Sequence, residues 1–192
     1  VMGARALEVM DPDHVDYPHE LLAAHRLLGW AYYNIPGRED QAIEHYRQAL
    51  DLEEDAPTYL YLGRLYFAKE EFGQALAMFQ SAVFAEPCYE HVGDVYYAIG
   101  TCLAVLEQYE DALIYLQKAR EEQATITFRP FYIYKSLGWS YWHLDRYDEA
   151  ALAFKTALGL MHPNDRQYRE IEHYLREVQA QGVAPFSHGD SG

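Results

Sequence analysis

The histidines and cysteines are the residues of this 192-residue chain that could bind a metal ion. A metal site in a protein generally needs three or four ligands that converge on one point. Cys88 and His91 are i, i+3 neighbours and supply only two ligands. His14, His19 and His25 lie closest together, but their spacing crosses a predicted loop and a helix start. We therefore predict neither a metal site nor a cofactor.

Paired carboxylates could support acid–base catalysis, and two adjacent pairs stand out, Glu53–Glu54 and Glu121–Glu122. Acid–base catalysis needs a pocket that encloses the acid and the base, whereas both pairs fall at predicted helix ends or corners. The motifs of a nucleophilic serine (GxSxG) and of a phosphate-binding loop (GxxxxGKS or GxxxxGKT) do not occur in the sequence. These observations predict no catalytic residues and a protein that is not an enzyme.

Four glycines mark an internal repeat that must position whatever site the chain has. Gly29, Gly63, Gly100 and Gly138 are each preceded by an apolar residue, followed three residues later by an aromatic residue or leucine, and followed by an alanine 12 or 13 residues on. Their separations are 34, 37 and 38 residues. A period of this length is typical of arrays of helical hairpins.

The second repeat illustrates why this pattern predicts two packed helices. Gly63 and Tyr66 share one face of a first helix, and Ala75 and Phe79 share one face of a second, because residues three and four apart lie together on a helix. The small residues let the two helix axes approach closely, and the large ones fill the grooves beside them. One hairpin cannot bury its own apolar face, so neighbouring hairpins must stack.

Over residues 22–163 the chain resembles the tetratricopeptide repeat family, whose rhythm of small and large residues recurs four times here. The resemblance implies an all-α fold, a right-handed superhelix (α-solenoid) of about four helical hairpins plus a C-terminal capping helix. The predicted boundaries are repeats at 18–55, 56–92, 93–130 and 131–164, a capping helix at 165–181 and a disordered tail at 182–192. Two insertions, around 88–92 and 122–128, are predicted to lie between hairpins.

The ends of the chain are interpreted from their periodicity. Residues 1–17 are either the end of a preceding repeat helix or an isolated helix that packs on the first hairpin. In the capping helix the predicted buried stripe is Tyr168, Ile171, Leu175 and Val178. The residues predicted to face away from the protein are Arg166, Arg169, Glu170, Arg176 and Glu177.

In this family the first helix of each hairpin lines the concave face, which implies a binding groove. Positions −6, −3, +1, +4 and +5 from each repeat glycine include all three tryptophans, and three cations against the single acid Asp94. Aromatic residues and arginine dominate interface hot spots. The alternative is that several of the aromatics pack against the neighbouring hairpin. The predicted peptide-binding residues are Arg26, Trp30, Tyr33, Leu60, Arg64, Phe67, Tyr97, Thr101, Tyr132, Lys135, Trp139 and Trp142.

The composition limits the class of partner. With 15 Lys and Arg against 30 Asp and Glu, the formal net charge is −15. Binding to nucleic acid or to an anionic membrane needs clustered cations, so we predict neither. The longest uncharged run, 72–85, is too short to span a bilayer, so membrane insertion is not predicted either. The two cysteines indicate no disulfide framework. No signal peptide is visible, and a cytoplasmic location is expected.

The leading interpretation is a non-catalytic module that binds an extended peptide or a partner helix in an aromatic and basic groove. One alternative is an assembly scaffold that forms homo-oligomers through its terminal repeats. Another is a bacterial secretion chaperone, although such proteins have three repeats and an N-terminal dimerisation helix. The clamp by which some family members hold a chaperone's C-terminal carboxylate is expected to have Lys and Asn on the first helix, then Asn, then Lys and Arg. The matching places here are Arg26 and Trp30, then Tyr61, then Asp94 and Ala98, so co-chaperone function of that kind is disfavoured.

Overall fold

The computed structural model describes residues 17–182, and the predictions for 1–16 and 183–192 lie outside that range. Within it the chain forms nine α-helices and one short 3₁₀ helix, without strands, which confirms the predicted all-α fold. The helices are α1 Tyr17–Tyr33, α2 Glu39–Leu52, α3 Ala56–Ala68, α4 Phe72–Ala85, α5 Val92–Val105, α6 Tyr109–Glu121, α7 Phe131–His143, α8 Tyr147–Gly159 and α9 Tyr168–Gly182; the 3₁₀ helix is Gln123–Thr125.

The helices pair as four consecutive hairpins, α1 with α2, α3 with α4, α5 with α6 and α7 with α8. Each hairpin then packs on the next, through α2 with α3, α4 with α5 and α6 with α7, and α9 covers α8. The stack is therefore linear, and the predicted order of hairpins and capping helix is the observed one.

The repeat glycines lie at the closest contacts within the hairpins. A Cβ atom placed on any of them would come within 2.8 Å of a large side chain on the second helix of the same hairpin. Only glycine allows so close an approach, which explains the repeated phrase. The four contacts are Gly29 with Tyr46, Gly63 with Phe79, Gly100 with Leu116 and Gly138 with Phe154.

The alanines of the repeat supply the small side of the same interface. Ala42, Ala75, Ala112 and Ala150 are completely buried, as the spacing predicts. The large side chains that fill the space beside them are also buried, and each such burial contributes about 1.5–3 kcal/mol relative to exposure. Hairpin packing thus follows directly from the positions of a few residue types.

The turn inside each hairpin contains one residue in the left-handed region. Gly37 has φ 80°, while the corresponding residues of the later hairpins are acidic: Glu70 at 62°, Glu107 at 61° and Asp145 at 57°. Left-handed backbone is costly for residues with a Cβ atom. The three later turns nevertheless adopt this conformation, because the left-handed residue and the one after it each donate a backbone hydrogen bond to a carbonyl of the preceding helix.

The connection between the third and fourth hairpins is the longest of the stack, as the insertion at 122–128 predicts. It is held by Asp94 of α5, whose carboxylate accepts hydrogen bonds from the backbone N–H of Thr127, at 2.9 Å, and from the Thr127 hydroxyl. The Gly93 N–H also donates to the Thr125 hydroxyl at 2.9 Å. The insertion is therefore an ordered corner that adds side chains to one face of α5.

The capping helix α9 buries Ile171 and Val178 completely, in the cluster that contains Phe154. One prediction about this helix is wrong: Glu170 does not face away from the protein. Its Oε1 accepts hydrogen bonds from Lys135 Nζ of α7 at 3.0 Å and from the Tyr174 hydroxyl at 2.8 Å. Glu170 lies next to the buried stripe of α9, on the side that faces α7. It therefore pairs with Lys135 instead of facing solvent.

Candidate binding groove

Two adjoining clefts open along the first helices of the second to fourth hairpins. The central cleft has a volume of about 260 Å³, and its lining includes Arg64, Phe67, Asp94, Tyr97, Thr101 and Phe128. The distal cleft is of similar volume, about 260 Å³, and its lining includes Thr101, Val105, Lys135, Trp139, Glu170 and Tyr174. Thr101 lines both, so the two clefts adjoin, and together they are called the groove.

The central cleft is walled by aromatic rings. Tyr97 packs on Phe128 with their ring centroids 4.5 Å apart, and burial raises the pKa of the Tyr97 hydroxyl. Phe128 in turn lies 6.1 Å from the Tyr132 ring. On the opposite side, Phe67 packs edge to face on Phe72, at 5.2 Å between centroids. The rings are fixed by one another, which presents a preformed apolar surface.

Arg64 is the polar group of the central cleft with the most capacity for a ligand. Its Nη2 lies 3.7 Å from Asp94 Oδ2, an ion pair longer than a hydrogen bond, and 40% of its side chain is exposed. The guanidinium also lies 5.9 Å from the Tyr61 ring centroid. Asp94 is buried and is already satisfied by Thr127, so Arg64 keeps its N–H donors for other acceptors.

The other two cations predicted for the groove form shorter ion pairs than Arg64 does. Arg26 Nη2 lies 2.6 Å from Asp55 Oδ2 and 3.3 Å from Glu53 Oε1, and Lys135 Nζ lies 3.0 Å from Glu170 Oε1. Arg26 thus faces carboxylates of the loop between α2 and α3, and Lys135 faces one of α9. The sequence indicated Asp94 as the single acid facing the three cations, whereas the structure places a carboxylate beside each of them.

Six of the twelve predicted peptide-binding residues line the two clefts. They are Arg64, Phe67, Tyr97, Thr101, Lys135 and Trp139.

The other six lie elsewhere in the structure. Leu60 is 4% exposed and belongs to the core. Tyr132 stacks on Phe131 at 4.1 Å, and Tyr33 packs edge to face on Tyr61 at 5.5 Å. Arg26 is in its ion pair and Trp30 is half-exposed on the first hairpin. The sixth, Trp142, lines a separate pocket. Contact with a neighbouring hairpin, the alternative weighed from the sequence, therefore accounts for Tyr33.

Several cleft residues were not predicted from the sequence, because they do not belong to the first helix of any repeat. Phe128 belongs to the insertion between hairpins, and Glu170 and Tyr174 belong to the capping helix. No repeat glycine precedes these positions at the usual distance. The one signal available was the spacing of Glu170 and Tyr174, which places them together on a helix face.

A third pocket, the indole pocket, adjoins the distal cleft at Trp139. It has a volume of about 300 Å³ and is lined by Trp139, Trp142, His143, Asp145, Tyr147 and Gln181. The two indoles are 5.6 Å apart with their planes at 82°. Trp142 Nε1 donates a hydrogen bond to Gln181 Oε1 at 2.6 Å, which ties its orientation to α9.

Other kinds of site find no support in the described range. Residues 17–182 contain no cluster of three or more His, Cys, Asp or Glu side chains that could hold a metal ion. Burial raises the pKa of the Cys102 thiol to about 12, which disfavours the reactive thiolate. None of the helices in this range is long and apolar enough to cross a bilayer.

Two family models, both described as tetratricopeptide repeat, match the sequence. One matches residues 60–125, and the other matches residues 27–55 and 132–160. These segments contain all four repeat glycines. A search of curated protein sequences gave no match.

Solved structures show the same fold. YrrB, described as a TPR protein with an unusual peptide-binding site, is 24% identical, with a TM-score of 0.70 over 95% of this chain and 84% of that one. MamA is 24% identical, with a TM-score of 0.68 over 82% of this chain and 87% of that one. The TPR2B domain of yeast Sti1, solved as a complex with pHsp70, is 20% identical, with a TM-score of 0.57 over 66% of this chain and 97% of the domain.

Proposed function

Because this chain belongs to the tetratricopeptide repeat family, whose members are generally non-catalytic interaction modules, we propose that it binds an extended segment of a partner protein along the central and distal clefts. The observation that carries the proposal is that the two clefts adjoin at Thr101. Adjoining clefts suit a linear ligand, which can place successive side chains in neighbouring clefts.

The lining of the groove supports a peptide as the ligand. Aromatic residues and arginine supply most of the binding energy at protein interfaces, and the groove combines Tyr97, Phe128 and Trp139 with Arg64. The rings offer apolar contact, and Arg64 offers donors to a backbone carbonyl or a carboxylate of the ligand. Lys135, which is paired with Glu170, would position α7 against α9 rather than contact the peptide.

The test is a selection of peptides from a random displayed library against the chain, followed by direct titration of the enriched peptides. The double variant Arg64→Ala with Trp139→Ala should lose at least tenfold in affinity, since each truncation of a hot-spot residue typically costs more than about 1 kcal/mol. Arg64→Ala alone, which leaves Trp139 intact, should lose about half of that free energy.

A matched control is the double variant Arg38→Ala with Trp30→Ala. It removes the same residue types from exposed positions outside both clefts. Circular dichroism should show equal helicity for both double variants. Unchanged affinity in the Arg64 and Trp139 variant, or an equal loss in the control, would overturn the proposal.

Self-association is a second candidate function, and one observation favours it. Phe84 is 86% exposed on α4, and Ile114 and Leu152 are exposed on the second helices of the following hairpins. Apolar side chains on this face could contact another copy of the chain. Light scattering over a range of concentrations tests the idea: a monomer at every concentration excludes self-assembly, whereas a dimer that Phe84→Ser dissociates supports it.

A further inference from the structure

We propose that the indole pocket binds a cationic side chain, arginine or lysine, of the segment that occupies the groove. The inference rests on the proposed function for the nature of the ligand, and it adds a chemical requirement at one end of that ligand. Trp139 lines both the distal cleft and the indole pocket, so the pocket adjoins the end of the groove.

The ring geometry suits a cation. The two indoles meet edge to face at 82°, and His143 lies 4.7 Å from the Trp139 ring centroid, so the wall of the pocket is built of aromatic rings at steep angles to one another. Cations are attracted to the faces of aromatic rings within about 6 Å, and most strongly to tryptophan. The hydrogen bond from Trp142 to Gln181 holds one ring of this wall in place without using its face.

Asp145 provides the opposite charge. Its backbone is left-handed, and the turn is closed by hydrogen bonds from Asp145 N to Trp142 O and from Arg146 N to Tyr141 O, both at 3.0 Å. The Tyr147 hydroxyl donates to Asp145 Oδ1 at 2.6 Å, and this bond raises the pKa of that hydroxyl. The turn and Tyr147 therefore fix the carboxylate at the pocket wall.

Asp145 differs from the carboxylates that pair with Arg26, Arg64 and Lys135 in having no cation of its own. Asp55, Asp94 and Glu170 each pair with a Lys or Arg of this chain. Among the described residues no Lys, Arg or His nitrogen lies within ion-pairing distance of Asp145, and the adjacent Arg146 is bound to Glu149 and lies over the Tyr141 ring. A cationic ligand would therefore meet no competing cation of this chain at Asp145.

The net charge of −15 also favours a cationic ligand, because an acidic protein attracts cations over longer distances. This general attraction is also what an experiment must separate from binding in the pocket. The indole pocket predicts dependence on the rings and on Asp145 specifically, whereas general attraction predicts equal dependence on any exposed carboxylate.

The three tryptophans provide a direct readout, because each gives one indole N–H resonance that single substitutions can assign. The probe is a capped pentapeptide, Gly-Ser-Arg-Ser-Gly, and its neutral counterpart has citrulline in place of arginine. We expect the arginine peptide to shift the Trp139 and Trp142 resonances and to leave that of Trp30 unchanged. The citrulline peptide should need at least about fivefold higher concentration for the same shift.

Two charge-removing variants make the test specific. Asp145→Asn keeps the shape of the side chain and tolerates the left-handed backbone, and should weaken binding about threefold to fivefold, as for a partly exposed ion pair. Asp148→Asn removes the same charge from an exposed position three residues along, outside the pocket, and should change the affinity by less than about twofold. In Trp142→Leu the shift of Trp139 should be lost.

Equal binding of the arginine and citrulline peptides, or equal effects of Asp145→Asn and Asp148→Asn, would overturn the inference. Its failure is separable from failure of the groove. Peptides that bind the groove and depend on Arg64, but contain no cation that shifts Trp142, would refute the indole pocket and leave the groove intact. Binding of the arginine peptide without any Arg64-dependent ligand would do the reverse.

Discussion

The phenyl ring of Phe79 occupies the space that a side chain at Gly63 would need. A Cβ atom on Gly63 would lie 2.5 Å from Phe79 Cε1, far inside ordinary contact distance, and Phe79 is itself fully buried. The ring cannot move aside without displacing its neighbours in the core. This one contact fixes how closely α3 and α4 approach.

Gly63→Ala should therefore destabilise the protein by about 1–3 kcal/mol, the usual cost of overpacking a core. The matched control is Gly73→Ala in α4, where an added Cβ atom meets nothing within 4 Å. That change should leave stability equal or raise it by up to about 1 kcal/mol, because alanine favours helix. Urea unfolding followed by circular dichroism measures both, and equal stability of the two variants would contradict the packing argument.

Substitution of Gly37 would measure backbone strain alone, because no side chain packs against this position. It has φ 80° and no atom within 4 Å of an added Cβ, so Gly37→Ala costs only the strain of the left-handed region, about 1–2 kcal/mol. Gly37→Asn should cost less, since asparagine visits this region more readily. Thermal unfolding of the two variants should rank them in that order below the native protein.

His25 and His45 should make the first hairpin sensitive to pH. Their Nδ1 atoms are 3.1 Å apart, so one ring donates and the other accepts, which requires at least one neutral imidazole. Burial lowers the pKa of both rings, and in His25 repulsion by His45 lowers it further.

The sign of the pH effect follows from these lowered pKa values. The unfolded chain, with histidine pKa near 6.5, binds protons before the folded chain does, so folding stability is fully present above that pH and is lost as the pH falls below it. Melting temperatures measured between about pH 7.5 and pH 5.5 should fall, and the fall should be smaller in His25→Gln. An equal slope in the variant would show that other groups cause it.

Asp55 has two roles that substitution can separate. Its Oδ1 accepts a hydrogen bond from the Thr58 N–H at the start of α3, at 2.9 Å, and its Oδ2 pairs with Arg26. Asp55→Ala removes both and should cost about 1–2 kcal/mol, while Asp55→Asn keeps the cap and should cost less. Chemical unfolding measures the difference, and equal losses would mean that the ion pair alone matters.

The sequence predicted the features that repeat. Gly29, Gly63, Gly100 and Gly138 recur with their packing partners because close helix contact allows few residue types, and a restricted set of types is visible in a sequence. The spacing of the glycines also predicted the order of the hairpins. It placed Arg64, Phe67 and Thr101 on the first helices of their hairpins, where they line the central cleft.

The features that occur once could not be predicted in this way. Phe128 enters the central cleft from an insertion, and its position depends on the bonds between Thr127 and Asp94. The pairing of Lys135 with Glu170 depends on how α9 is placed on the last hairpin. Such contacts are set by the three-dimensional course of the chain, and many side chains could satisfy them equally well.

The linear stacking of the hairpins has a consequence for how the protein folds and opens. Among the described residues, no side-chain hydrogen bond joins positions more than 39 residues apart, the span from Trp142 to Gln181. Chains dominated by such local contacts fold rapidly, and their units open separately instead of all at once. Amide hydrogen exchange should therefore show protection that differs from hairpin to hairpin along residues 17–182, so that one part of the stack can open while the groove persists.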